Sequence, residues 1–406
     1  MAFPTSRTTE AASAQFPASA HHLPDYRGGG IVNLMSSIVA AAGGDAQPYP
    51  RLAVLDDAFL TQARHIVLLV IDGLGYDYLA SAGAGSCLHS HLQAKLTSVF
   101  PSTTASAATC LLSAQPAQQS GLSGWHMYYR ELGAIAAVLP LQPRHGGAGF
   151  VSAGIAVQSL LSGQVLFDHL DRPCHVVAPA NIVDSDFNRY YAGTARRTAY
   201  TTLDTCFAAV TDYIRTQPGR SYTHAYYPVI DAASHAFGCR SDAVAQRFAR
   251  LDQRFAAFVK SLAGSDTAIV VTADHGFIDS PPEHLIEMAQ HPELAQMLTL
   301  PLCGERRVAY CYVHPHRQTE FESYVTSEFA GRARLLRSDE MLAQGWFGLG
   351  AAHPRLHQRI GDYTLLLQDD WTIKDWVEGE PRHANLGVHG GTSAAEMFVP
   401  LIVALA

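Results

Sequence analysis

Three runs of strand length, at 66–71, 222–230 and 267–273, each lead directly into an acidic residue, and no other feature of the chain constrains its fold as strongly. His65-Ile-Val-Leu-Leu-Val-Ile runs into Asp72-Gly73, and Ala268-Ile-Val-Val-Thr-Ala runs into Asp274-His275-Gly276. Near-continuous Ile, Val and Leu mark strands covered on both faces, which is the pattern of a parallel sheet in an α/β fold. Helix-length stretches such as 244–262 lie between the runs. The expected architecture is therefore α/β, with a central, mostly parallel sheet flanked by helices. Ligands of such sheets gather beyond the carboxyl ends of the strands, where Asp72, Asp231 and Asp274 are expected to sit.

Those carboxylates have histidine company. Asp231-Ala-Ala-Ser-His235 places two ligand types four residues apart, on one face if the chain turns helical after the strand. Asp274 and His275 are adjacent at a strand end, so their side chains diverge and can serve two metal ions, while Gly276 permits a close backbone turn. His389 follows in a Gly-rich loop near the end of the chain. Taken singly, each has an ordinary reading: a capping Asp, an Asp-Gly turn, a surface His among the 20 of this chain. An unpaired charge at the end of a buried strand is costly, however, and an Asp there is normally hydrogen-bonded, ion-paired or metal-bound. Phe100-Pro-Ser-Thr-Thr104 adds hydroxyls just before a helical pattern, with Ser102 to Thr104 suited to its N-cap. The joint reading is a two-metal site with a hydroxyl nucleophile.

The net charge of −8, from 28 basic and 36 acidic residues, offers no surplus to neutralise phosphates, so no nucleic-acid-binding surface is expected. The apolar runs are far shorter than the roughly 20 residues of a membrane helix. No early segment has the form of a signal peptide, which gives a cytoplasmic expectation. The seven cysteines are scattered and never closely paired, which suits reduced, mostly buried thiols. Residues 1–27 read as a loosely ordered entry segment, 28–300 and 385–406 as the catalytic core, and 301–384 as an inserted cap, with strands expected at 306–313, 363–367 and 397–403.

Val-Ile-Asp72-Gly, a hydroxyl at a helix start, Tyr227-Pro-x-x-Asp231-x-x-x-His235-x-x-Gly238, Asp274-His275-Gly276 and His389-Gly, in this order, resemble the alkaline phosphatase superfamily, and most of all its nucleotide pyrophosphatase/phosphodiesterase branch. The resemblance spans about 63–303 and 385–403. It implies an alkaline-phosphatase-like fold and two zinc ions, one held by Asp231, His235 and His389, the other by Asp72, Asp274, His275 and the nucleophile oxygen. In that family a Thr-Gly or Ser-Gly pair follows the nucleophile by nine and ten residues. Counting from Thr104 lands on Ser113-Ala114, so the register favours Thr104 over Thr103 although the glycine is replaced. Two further departures are Ser120-Gly121-Leu122 in place of His-Gly-Ile, and the neighbourhood of Trp125 in place of an Asn that holds a phosphate oxygen.

The resemblance implies hydrolysis of phosphate diesters or nucleotide pyrophosphate bonds through a phospho-threonine, acting on a small phosphate ester such as a nucleotide. A phosphomonoesterase and a phosphomutase of the same superfamily share the metals, and His389-Gly-Gly-Thr-Ser-x-x-Glu396 suits the mutases. A sulfatase needs a Cys-x-Pro-x-Arg context, which none of the cysteines has. A metal-binding protein without turnover is the reading outside the enzymes, and a free hydroxyl beside the ligands argues against it. Monoester cleavage would call for a further cation at the site, for which Arg306 and Arg307 are the candidates. The stretch Trp125-His-Met-Tyr128-Tyr129-Arg130 offers rings either to a nucleobase or to the core.

Overall fold

The computed structural model describes residues 21–380 and 382–406. The loosely ordered segment expected at 1–27 lies, over residues 1–20, outside the described residues. Among the described residues a seven-stranded sheet runs in the order Leu92–Thr97, Phe398–Leu405, Thr267–Thr272, His65–Ile71, Ser221–Tyr227, Cys174–Pro179, Arg196–Tyr200. The five strands from Thr267–Thr272 to Arg196–Tyr200 are parallel to one another, and Phe398–Leu405 runs against both of its neighbours. His65–Ile71 and Thr267–Thr272 are buried along their whole length, as continuous apolar sequence requires of strands covered on both faces.

Register then places the chemistry. Ile71 is aligned with Tyr227, and Val70 with Thr272, so the neighbouring strands end at the same edge of the sheet. Asp72 and Asp274 leave that edge. The middle run is shorter than the 222–230 expected from its apolar residues: the strand ends at Tyr227, because Pro228 has no N–H to continue the ladder. Val229 and Ile230 belong instead to the helix Val229–Phe237, which carries Asp231 in its first turn and His235 in its last. The Asp231 N–H donates to the Asp72 carbonyl at 3.1 Å, fastening that turn to the strand end.

A second seven-stranded sheet, antiparallel throughout, combines two separate stretches of chain. Cys303–Gly304, Val308–Cys311, Ala333–Arg337 and Tyr363–Leu367 are joined by His126–Tyr129, Ala134–Ala137 and Gln142–Pro143. The junction is the pairing of Gly304 with His126. The sheet's strands His126–Tyr129 and Cys303–Gly304 contribute His126 and Cys303 to a cavity that Asp231 and His235 also line. All seven cysteines are free thiols, six of them buried. No helix among the described residues is long and apolar enough to cross a membrane.

Candidate metal centre and nucleophile

Each carboxylate at the sheet edge is held by one oxygen and presents the other. Asp274 Oδ1 accepts from the backbone N–H groups of Gly73 (3.1 Å) and His275 (3.0 Å), and Asp72 Oδ2 accepts from the Tyr226 hydroxyl. Asp72 Oδ1, Asp231 Oδ1 and Asp274 Oδ2 are buried without a hydrogen-bond partner. Gly73 makes this approach possible: its φ is +74°, and a Cβ there would stand 2.6 Å from the Phe277 ring. At Gly276 a Cβ would collide with the Ala395 carbonyl.

The histidines are oriented by their second nitrogens. His235 Nδ1 lies 2.9 Å from the Gly387 carbonyl, His275 Nδ1 3.1 Å from that of Gly276, and His389 Nδ1 3.2 Å from that of Ser102. A carbonyl only accepts, so each Nδ1 carries the proton and each Nε2 offers a lone pair, the tautomer a metal ligand needs. These Nε2 atoms converge. His275 Nε2 is 3.3 Å from Asp72 Oδ1 and 3.5 Å from Asp274 Oδ2, while His235 Nε2 is 3.4 Å from Asp231 Oδ1 and 3.2 Å from His389 Nε2. Two overlapping groups emerge, Asp72 with Asp274 and His275, and Asp231 with His275 and His389; within each group the ligand atoms lie within 4.8 Å of one another.

Electrostatics agrees with this geometry. Burial, and then the proximity of Asp231 and Asp274, pushes the Asp72 carboxyl well above its ordinary pKa. Asp231 is raised by burial and by Asp274. Burial lowers His235 to about 4, and it holds His389 well below the usual range, helped by His275 and His235. Crowded, buried acids facing imidazoles of lowered basicity call for a counter-charge, and divalent cations fit both the charge and the donor set.

The three hydroxyls of Ser102-Thr103-Thr104 go to three places. Ser102 Oγ donates to the Gly391 carbonyl at 2.7 Å, and Thr103 Oγ1 donates to Glu305 Oε1 at 2.7 Å. Thr104 Oγ1 lies 3.1 Å from His275 Nε2, at the first residue of the helix Thr104–Ser113. The expected hydroxyl N-cap is absent: Thr103 is the N-cap residue but makes no capping bond, because Glu305 takes its hydroxyl. At the other end of this helix Ala114 has φ +59°, so the backbone keeps the left-handed turn that a glycine makes without strain.

Around the cluster lies a cavity of about 520 Å³, lined by Thr104, Asp231, His235 and His389 together with Trp125, Glu305, Arg306, Arg144 and Lys374. Trp125 and His126 face this cavity, whereas Tyr129 is core, buried beneath the Arg359 guanidinium at 4.4 Å. Arg307 does not reach the site: it is buried and holds Glu396 through two bonds of 3.0 and 3.2 Å. Glu396 in turn accepts from the Gly391 N–H at 2.8 Å, bracing the loop that carries His389. Sequence reasoning missed Tyr226, Asn385 and Glu305. The Asn385 carboxamide lies 3.2 Å from His235 Nδ1. Glu305 Oε1 also accepts from the Trp125 N–H at 2.7 Å, and burial lifts its carboxyl to about 7.

Fold and site together define a phosphoester hydrolase with an alkaline-phosphatase-like core and a carboxylate–imidazole cluster suited to metal ions. The family model described as type I phosphodiesterase/nucleotide pyrophosphatase matches residues 66–392, and the chain belongs to that family. No curated protein sequence matches it significantly. Among solved structures, murine ectonucleotide pyrophosphatase/phosphodiesterase 5 superimposes with a TM-score of 0.62 at 14% identity, over 83% of this chain and 87% of that one. Phosphonoacetate hydrolase from Sinorhizobium meliloti 1021 does so at 0.61 and 16% identity, over 84% of this chain and 90% of that one. At these identities the likeness is one of fold.

Proposed function

We propose that this hydrolase cleaves phosphate diesters or nucleotide pyrophosphate bonds through a covalent intermediate on Thr104, with two zinc ions in the site. Asp231, His235 and His389 would hold one ion; Asp72, Asp274, His275 and the Thr104 oxygen would hold the other, and mixed carboxylate and imidazole ligation suits zinc. When bound, the ions supply Lewis acidity and the positive charge that the buried carboxylates lack. The observation that carries the reading is the Thr104 hydroxyl 3.1 Å from His275 Nε2, with both neighbouring hydroxyls engaged elsewhere.

Thr104 Oγ1 forms its bond to phosphorus as the bond from phosphorus to the leaving oxygen breaks. The hydroxyl proton passes to solvent, and the leaving oxygen takes one up. A diester thereby leaves Thr104 carrying phosphate with its remaining ester group. Water then attacks the phosphorus and restores the free hydroxyl, which is covalent catalysis in two displacements. The helix N-terminus at Thr104 favours negative charge on the attacking oxygen.

An inactive form of the murine neighbour is in complex with AMP, and the phosphonoacetate hydrolase with phosphonoformate or phosphonoacetate, so a small phosphorus-containing anion is the substrate class these folds support. Arg306, the further cation that a monoester would call for, lines the cavity, but within that class the ionised form of Glu305 favours diesters. Its carboxyl sits beside the nucleophile segment, and a monoester brings roughly two negative charges near pH 7 where a diester brings about one. With zinc present, bis-p-nitrophenyl phosphate and a p-nitrophenyl nucleotide ester are expected to be cleaved with higher kcat/KM than p-nitrophenyl phosphate. Equal or faster cleavage of the monoester would move the assignment to a phosphomonoesterase.

A further inference from the structure

The cavity that the metal ligands line also holds a group of cations that the hydrolysis just described does not use. Arg144, Arg306 and Lys374 all line it. Arg144 and Lys374 share one carboxylate: Arg144 Nη2 lies 2.9 Å from Glu380 Oε2, and Lys374 Nζ 2.5 Å from Glu380 Oε1. Arg144 is further committed to the carbonyls of Leu302 and Asp375, so its position is structural. Arg306 differs. Among the described residues it has no carboxylate within 4.0 Å; it donates to the His383 carbonyl at 2.9 Å and lies over the Trp376 ring, 5.3 Å from its centroid. Of the other acids lining the cavity, Asp375 accepts the Leu302 N–H at 3.0 Å, and Glu305 accepts from the Thr103 hydroxyl and the Trp125 N–H.

Arg306 is tied to the nucleophile segment and to the metal ligands. It follows Glu305, which bonds Thr103 next to the nucleophile, and its charge reaches His235, whose basicity it helps to lower. Lys374 is buried among the same cations, and burial followed by Arg144 brings its ammonium down to about 8. Arg306 feels the charges of Glu380 and Glu305 only at longer range and has no carboxylate in direct contact, which leaves its guanidinium free to take an anion in the cavity. A planar guanidinium is also well matched to a carboxylate or phosphate group.

We propose that Arg306, supported by Lys374, binds a second anionic group of the substrate, a carboxylate or a phosphate carried beyond the phosphorus that Thr104 attacks. The proposal rests on the reading of Thr104 and the metal ligands as the reaction centre, and it narrows the substrate class. The preferred substrate carries one phosphorus at the metals and a further negative charge toward Arg306, as a pyrophosphate bond or a phosphorus-linked carboxylate does. A diester with two neutral arms would leave these cations unused.

The test is calorimetric binding to the zinc-loaded protein at fixed free zinc, with propylphosphonate, 3-phosphonopropionate and ethylenediphosphonate as probes. At least one doubly anionic probe is expected to bind about tenfold or more tightly than propylphosphonate, in line with a charge-assisted bidentate contact. Preference for 3-phosphonopropionate identifies the second group as a carboxylate, and preference for ethylenediphosphonate as a phosphate. Arg306→Gln should bring the ratio near one, and Arg306→Lys should retain part of it, which separates lost recognition from lost folding. Equal affinity of all three probes, or a ratio unchanged in Arg306→Gln, overturns the proposal while leaving diester hydrolysis intact. Binding of no probe to a protein that also fails to cleave diesters overturns the functional reading and this proposal with it.

Discussion

The imidazole rings of His275 and His389 lie stacked, with centroids 3.6 Å apart and 14° between their planes. His275 belongs to both groups, with Asp72 and Asp274 and with Asp231 and His389, so the stack is where the two ligand sets meet. Each ring is held from behind by its own backbone carbonyl, Gly276 for His275 and Ser102 for His389. The two rings therefore share a face but not their anchors.

From this follows the metal content. The purified protein is expected to carry about two zinc ions per chain, since each set offers three or four protein ligands. His389→Ala removes a ligand from one set only, and elemental analysis should find about one ion retained, because Asp274 keeps its bonds to Gly73 and His275. Loss of both ions in this variant would show that the sets do not fold independently.

Replacing Thr104 by Ala is expected to lower turnover by at least about 10³-fold, as loss of a nucleophile does, with melting temperature and zinc content near those of the parent. Thr103→Ala loses only the bond to Glu305 and should keep most of the activity. The comparison is made by steady-state kinetics on bis-p-nitrophenyl phosphate. The opposite ranking would place the nucleophile one residue earlier.

Much of this centre was legible because its parts obey local rules. The burial of His65–Ile71 and Thr267–Thr272 follows from continuous apolar sequence, and the Asp231 and His235 spacing from one helical turn. The strand overrun to residue 230 arose because Val229 and Ile230 suit a strand as well as a helix, and only Pro228 separates the two. What was not legible depends on distant partners. Glu305 meets Thr103 across 202 residues, and nothing near either residue announces it. The same is true of His126–Tyr129 joining a sheet built mostly from residues beyond 300, and of Arg307 turning to Glu396 while adjacent Arg306 lines the cavity.

Glu305 is the residue expected to set the balance between diesters and monoesters. Glu305→Gln keeps an oxygen to accept from Thr103 and Trp125 but removes the negative charge that the carboxyl carries above about pH 7, where the comparison is made. The ratio of kcat/KM for p-nitrophenyl phosphate to that for bis-p-nitrophenyl phosphate should rise several-fold. An unchanged ratio would mean that this carboxyl does not oppose the second charge of a monoester.

Acid sensitivity should arise in part from His224, buried in the strand Ser221–Tyr227 edge-on to Phe167, with neither ring nitrogen bonded among the described residues. Burial lowers its pKa to about 4, against about 6.5 in an unfolded chain. The folded value is the depressed one, so the stability is present above about pH 6.5 and is lost toward pH 4, by up to roughly 3 kcal/mol. His224→Leu abolishes that proton uptake by the unfolded chain. Between about pH 7.5 and about pH 5.5 its Tm should fall less than that of the parent, and parallel Tm curves would contradict the assignment.

The claim on which the account turns is that Thr104 becomes covalently attached to phosphorus, and rapid acid quench with a diester labelled at phosphorus tests it most directly. The account predicts one labelled peptide during turnover, with the label on Thr104, and none from Thr104→Ala. Label on Ser102 or Thr103, or unimpaired hydrolysis by Thr104→Ala, would contradict it.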